Sequence, residues 1–127
     1  MQYKPAGYNS LSPYFIVKDA QKMVELLQTL FDATVLRRFD RPDGTIMHIE
    51  LKIDDSVLMM GEASEEFPPV THVLHLYVSD VDDVFNRAMA LGCTPIEKPS
   101  EREGDPDRRG TFKDFAGNMW SIGTQSQ

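Results

Sequence analysis

The chain carries an internal repeat. Residues 13–27 read PYFIVKDAQKMVELL, and residues 74–88 read LHLYVSDVDDVFNRA. Val17 and Val78, Asp19 and Asp80, Leu30 and Leu91, and Lys52 and Lys113 all stand 61 positions apart. Gly61 and Gly123 stand 62 apart, which requires one extra residue in an intervening turn. Identity between the halves is low, but the order of apolar, turn and helical segments recurs. A repeated order restricts the chain to a tandem of one supersecondary unit. The length of 127 residues suits a single domain built from two such units.

Each half predicts strand, helix, strand, strand, strand. In the first, residues 14–17 are apolar β-formers, and Asp19 can cap a helix over residues 20–31. Ala20, Met23, Val24, Leu27, Leu30 and Phe31 fall at helical spacing and form one stripe. A strand over 34–39 follows, then an Arg-Pro-Asp-Gly turn at 41–44. Residues 46–53 alternate, with Met47, Ile49, Leu51 and Ile53 on one face and His48, Glu50 and Lys52 on the other. Asp54-Asp55 turns the chain into a strand over 57–61. In the second half, residues 73–78 form a strand and Asp80 a cap. Val81, Val84, Phe85, Ala88 and Leu91 make the stripe, closed by Gly92. A strand over 94–97, a polar loop over 99–107 and a hairpin of 110–114 with 119–123 complete the unit. Residues 1–10 read as an arm, 62–69 as the connection, and 124–127 as a frayed tail.

Composition narrows the function. Apolar residues make up 41% and charged residues 26%, so the chain has the makings of a core without metal or disulfide. Thirteen basic residues against twenty acidic ones give a net charge of −7, which argues against nucleic acid and against an anionic membrane surface as partners. Cys93 is the sole cysteine, which rules out an intrachain disulfide or a cysteine zinc cluster; with no basic neighbour it reads as a packed, inert thiol. The N-terminus has no apolar h-region and no run approaches roughly 18 apolar residues, so a soluble cytoplasmic protein is expected. No Walker A, nucleophile-elbow or dinucleotide-binding motif is present.

Strand alternation also assigns faces. If Leu74, Leu76 and Val78 meet the helix, then Val73, His75 and Tyr77 face away from it. The 61-residue shift puts Ser12, Tyr14 and Ile16 on the same second face, with Phe15 and Val17 toward the helix. Leu58 and Met60 match Trp120 and Ile122 on the helix side, which leaves Val57, Met59 and Gly61 with Met119, Ser121 and Gly123 on the second face. His48 and Glu50 join that face, matched by Arg109 and Thr111. A solvated face would carry more Lys, Glu and Ser. A wall of Tyr14, His48, Glu50, Met59, His75, Tyr77, Arg109 and Ser121 is what a small-molecule cleft requires. The competing reading makes the histidines hydrogen-bonded pocket or interface residues and the tyrosines dimer packing. His72 precedes its strand and is expected to be exposed. The charge-dense stretch 101–109 reads as a solvated loop, one that could close over a ligand.

The strings SPYFIVKDA (12–20), GTIMHIELKIDDSVLMMGE (44–62), HLYVSDVDDVFNRAMALG (75–92) and DRRGTFKDFAGNMWSIGT (107–124) resemble the vicinal oxygen chelate superfamily. Its members include glyoxalase I, extradiol dioxygenases and the bleomycin- and fosfomycin-resistance proteins, and the likeness is greatest to its PhnB-like branch. The Lys-Asp-x-x-Gly-x-x-Trp string at 113–120 is the most specific piece, although Phe115-Ala116 stands where the family usually has Pro-Phe. The resemblance covers residues 11–124. It implies an α+β fold: tandem βαβββ modules, about 11–62 and 70–124, forming a curved mixed sheet with a concave cleft and the helices on its convex side. It also implies a homodimer.

Metal-dependent relatives hold their ion with a His or Glu from the first and last strand of each repeat. Those positions fall here on Ser12, Met59, Val73 and Ser121, and none is a good ligand for a divalent ion. The resemblance therefore implies a small-molecule-binding protein with no metal and no cofactor, as resistance proteins of the superfamily sequester antibiotics. The alternative is a metal-dependent lyase, isomerase or dioxygenase of the glyoxalase kind, with a displaced site at His48, Glu50 and His75. A third reading is a regulatory or structural dimer without a ligand. Catalytic residues are not assigned, and enzymatic activity is left open.

Overall fold

The structure, a computed structural model, describes residues 2–126. The chain divides into two compact units, Met1–Val70 and Thr71–Gln127. The first contains β1 (Tyr14–Val17), α1 (Ala20–Phe31), β2 (Thr34–Asp40), β3 (Ile46–Ile53) and β4 (Ser56–Glu62). The second contains β5 (Val73–Tyr77), α2 (Val81–Ala90), β6 (Thr94–Glu101), β7 (Asp107–Lys113) and β8 (Met119–Gln125). The strands form one four-stranded sheet per unit, ordered β1-β4-β3-β2 and β5-β8-β7-β6. In each, the first strand lies parallel to the last and the other pairs are antiparallel. The repeat in the sequence is thus a repeat of topology, and the α+β architecture of two βαβββ units is the one expected. The extra residue sits in the last hairpin: Lys52 pairs with Val57, whereas Lys113 pairs with Met119.

Each helix starts where its cap dictates. The Asp19 carboxylate accepts from the Lys22 amide at 3.3 Å, and Asp80 accepts from Asp83 at 3.1 Å. Helix α1 buries Ala20, Met23, Val24, Leu27 and Leu30 and packs on β1, β3 and β4. Helix α2 buries Val81, Val84, Phe85 and Ala88 and packs on β6, β7 and β8. Leu91, expected in that stripe, is instead exposed at the helix end. The backbone turns away there into Gly92, whose φ of +90° suits glycine, and Cys93 takes the next buried position. The core of the first unit gathers Phe15, Met23, Leu27, Ile49, Leu51 and Met60, all fully buried. In the second, Phe85 meets Phe112 edge to face at 6.4 Å, beside Trp120 and Ile122.

Several segments differ from the sequence expectation. Strand β6 runs on to Glu101 and β7 begins at Asp107, so the anticipated loop over 99–107 shrinks to 102–106. Pro95 and Pro99 cannot donate to a ladder, but β6 is the edge of its sheet, where a missing N–H can face away from it. Residues 124 and 125 belong to β8, and Ser126 donates to the Pro106 carbonyl from both its amide and its hydroxyl; Gln127 lies outside the described residues. The clean alternation of β3 fails at Met47. Asp40 pairs with Ile46 and Phe39 with His48, so Met47 is the extra residue of a bulge. Ile46 is therefore buried and Met47 half exposed. His72 is only partly exposed, because the Asn118 side chain holds its amide at 2.7 Å and Met119 donates to its carbonyl.

The Lys-Asp-x-x-Gly-x-x-Trp string is a structural turn. The buried Asp114 carboxylate accepts from the Ala116 and Asn118 amides, from the Asn118 side chain and from Trp120 Nε1. Gly117 supplies the positive φ the turn needs. Burial first, and the nearby Asp114 charge second, push the Cys93 thiol up to about 11, as suits an inert packed group. Among the described residues no helix is long and apolar enough to cross a membrane.

Candidate functional site

In the first unit, strand register brings four positions into one row across the sheet. Arg37 on β2 pairs with Glu50 on β3, Glu50 with Met59 on β4, and Met59 with Tyr14 on β1. On this face the Tyr14 hydroxyl lies 2.9 Å from His48 Nδ1, and His48 Nε2 lies 2.8 Å from Glu50 Oε2. Glu50 Oε1 accepts from the Tyr8 hydroxyl at 2.5 Å, with Arg37 3.7 Å away. Burial alone would raise the Glu50 pKa, but the hydrogen bonds from Tyr8 and His48 and the charges of His48 and Arg37 outweigh it and lower it. An ionised carboxylate can only accept, so His48 Nε2 carries the proton, while Nδ1 and the Tyr14 hydroxyl share the second hydrogen bond. The result is a hydroxyl–imidazole–carboxylate chain with its carboxylate buried. Phe39 stacks on the outer side of the His48 ring at 6.4 Å.

Beside Tyr14 lies a pocket of about 430 Å³. It is lined by Tyr14, Ile16, Met47, Gly61 and Phe67 and by two charged residues, Arg41 and Glu62. Three local features build it. Gly61 is required by close approach, since a Cβ there would stand 2.8 Å from the Met47 carbonyl oxygen. The β3 bulge turns Met47 outward. The connection after β4 is stitched along the free edge of β1, with Ala63 donating to Val17 O and Val70 to Ile16 O, while a turn closed by Ser64 and Phe67 presents Phe67. The Glu62 carboxylate accepts from the Asp19 and Ala20 amides, both at 2.8 Å, at the start of α1.

The second unit places His75, Tyr77 and Arg109 in one cluster. Arg109 Nε donates to Asp105 at 2.9 Å, Nη2 to Asp107 at 2.7 Å, and Nη1 to His75 Nε2. Tyr77 donates to Asp107 at 2.6 Å, which raises its own pKa, and its ring meets that of His75 edge to face at 4.7 Å. Burial, then the Arg109 charge, lower the His75 pKa below its ordinary value despite Asp107 and Asp105. Neutral His75 therefore accepts from the guanidinium. Ser121 lies in register between His75 and Thr111. Gly123 leaves room for the crossing, because a Cβ there would lie 3.3 Å from His75 Nε2 and 3.6 Å from Arg109 Cγ.

The two clusters occupy equivalent repeat positions. Tyr14 and His75 stand 61 apart, as do His48 and Arg109, and each pair is in contact beside its repeat glycine. Strand reading had placed all of these residues on the face away from the helices. It missed Tyr8, Arg37, Arg41, Phe67, Asp105 and Asp107. Asp105, Asp107 and Arg109 stand at i, i+2 and i+4, a spacing that signals side chains on one face of a strand and could have been read.

The positions carried over from metal-dependent relatives do not fit a divalent ion. Val73 offers no donor and is largely exposed, Met59 offers a thioether, and Ser12 and Ser121 offer neutral hydroxyls. Ser12 Oγ is buried without a hydrogen-bond partner among the described residues, but a lone hydroxyl does not make a cation site. Among the described residues no group of three or more His, Cys, Asp or Glu is arranged to hold an ion.

Paired βαβββ units, each with a parallel first–last strand pair and a helix on one face, define the vicinal oxygen chelate architecture. Residues 9–122 match the Glyoxalase/Bleomycin resistance protein/Dioxygenase superfamily, and the chain belongs to that family. It is 32% identical over 127 residues to Uncharacterized protein Mb0911c of Mycobacterium bovis, covering 90% of this chain and 82% of that one. Uncharacterized protein Rv0887c of Mycobacterium tuberculosis is 32% identical, with coverages of 90% and 73%. The fold is shared with TioX from Micromonospora sp. ML1 (TM-score 0.77, 21% identity, 92% of this chain and 98% of that one). It is shared also with the fosfomycin resistance protein FosX from Listeria monocytogenes, solved with Mn(II) and sulfate (TM-score 0.70, 20% identity, coverages 92% and 90%). A PhnB protein from Bacillus cereus has a TM-score of 0.70 at 14% identity, with coverages of 91% and 99%.

Proposed function

We propose that this chain binds a small, flat organic molecule without a metal ion, and that it does so as a homodimer in the cytoplasm. The pocket of about 430 Å³ carries the reading. Its volume suits a drug-sized ligand, its walls are aromatic, aliphatic and thioether, and its polar groups are few and fixed, as small-molecule sites require. Tyr14 joins the pocket to the His48–Glu50 chain, so its hydroxyl is held in one orientation toward a ligand. Met59 lines the same sheet face. His75, Tyr77, Arg109 and Ser121 are the second unit's contribution to the reading. Arg109 already bonds two carboxylates there, and its role is to hold His75 and Tyr77.

The displaced metal site is disfavoured by donors already in use. Both nitrogens of His48 are bonded, and His75 Nε2 takes a hydrogen bond from a guanidinium that would repel a cation. The test is a titration of methionine-methyl-labelled protein, kept in chelator, with a panel of planar aromatic compounds. Saturable shifts of the Met47 methyl are expected, weakened by Phe67→Ala. A panel that leaves Met47 unmoved would overturn the reading. Binding or turnover that appears only on adding a divalent ion would favour a metal-dependent lyase, isomerase or dioxygenase.

A further inference from the structure

We infer that the ligand of the first unit's pocket is an aromatic or similarly flat acid whose oxyanion is seated on Arg41. This rests on the binding reading above and names its chemical class.

The inference comes from an imbalance of charge inside the pocket. Two ionised side chains line it, Arg41 and Glu62. The Glu62 carboxylate is already matched, since each oxygen takes a backbone amide at the start of α1. Arg41 is not matched in the same way. Its Nη1 donates to the Thr45 hydroxyl and its Nη2 to the Glu62 backbone carbonyl, both at 3.2 Å and both neutral acceptors. Among the described residues no carboxylate forms an ion pair with it, whereas Arg38, Arg87, Arg102, Arg108 and Arg109 each have one. Nε–H and a second hydrogen on each terminal nitrogen remain for a ligand. Arg41 is also only partly exposed, so water does not fully screen it. The two hydrogen bonds fix the plane of the guanidinium, and a fixed plane favours fork-like recognition of a carboxylate or sulfonate.

The apolar lining takes the remainder of the molecule. Tyr14, Ile16, Met47 and Phe67 present rings, a branched aliphatic chain and a thioether, which suit a flat apolar body. Asp43, within the same turn, feels the Arg41 charge without pairing to it and, like Glu65 and Glu66 on the Phe67 loop, is exposed; the chain is net acidic. The preference for an anion must therefore come from direct contact with Arg41 and not from the long-range field, so it should persist at physiological ionic strength.

The experiment compares 2-naphthoate with 2-naphthamide, its neutral isostere, by the shift of the Met47 methyl. Wild type should bind the naphthoate about tenfold or more tightly, the worth of a charge-assisted contact. Arg41→Gln should abolish that preference; it is read as the ratio of the two probes within one variant, so a general weakening of the pocket does not mimic the loss. Arg41→Lys should keep part of the preference. Equal affinity for both probes on wild type, or a preference that survives Arg41→Gln, would overturn the anion assignment alone. Failure of both probes to move Met47 would overturn it together with the binding reading.

Discussion

His48 and His75 face away from the helices on their respective sheets, yet their hydrogen bonds differ in sign. His48 donates to a carboxylate, and His75 accepts from a guanidinium. Burial and the Arg109 charge hold the folded-state pKa of His75 below 6.5. The unfolded chain then binds the proton more readily than the native one, so His75 makes stability rise with pH. Its contribution is complete above 6.5 and is lost as pH falls through the lower folded value. A titration of the imidazole carbon resonances should place His75 below 6.5 in wild type and higher in Arg109→Met, where Asp105 and Asp107 act on it unopposed. An unchanged His75 titration in that variant would contradict the assigned contact.

At the scale of elements, the turn over residues 114–118 shows what the most family-specific string does. Four donors converge on the buried Asp114 carboxylate. Asp114→Ala should remove the acceptor shared by Trp120 Nε1 and the Ala116 and Asn118 amides and lower stability by about 2–4 kcal/mol in chemical denaturation. A loss under about 0.5 kcal/mol, the level of an ordinary surface change, would contradict that role. The helices were legible in the sequence because a cap and a single apolar stripe agree on their position and on the buried face. The ends of β6 and β7 were not, because a polar, charge-dense run argues for a loop until the edge pairing is known. The second face could be read from period-two alternation. The contact from Tyr8 could not, because the arm lies outside the repeat, and neither could the pocket, which depends on the Met47 bulge and on a connection folded back along β1. The Arg109–His75 contact crosses between rows over Gly123, and alternation alone carries no information about such crossings.

For the whole molecule, the repeat sets a common βαβββ plan on which the two units carry different side chains: Tyr14 and His48 in one, His75 and Arg109 in the other. Strand β2 is an exposed sheet edge throughout, with Val35, Leu36 and Phe39 all substantially uncovered. Such an edge invites pairing with a second copy. Sedimentation at micromolar concentration should give twice the 14.4 kDa chain mass, and Phe39→Lys should shift the protein toward monomer. A wild-type monomer under those conditions would contradict the dimer.

The central claim is binding within this fold without the ion that metal-dependent relatives use. Titration of Mn(II) into methyl-labelled protein tests it most directly, because Met59 occupies one of the positions from which such relatives ligate the ion and a bound paramagnet would broaden its methyl signal. The account predicts that the Met59 methyl and the His48 and His75 ring signals stay sharp at one equivalent. Selective, saturable loss of those signals at stoichiometric Mn(II) would contradict it.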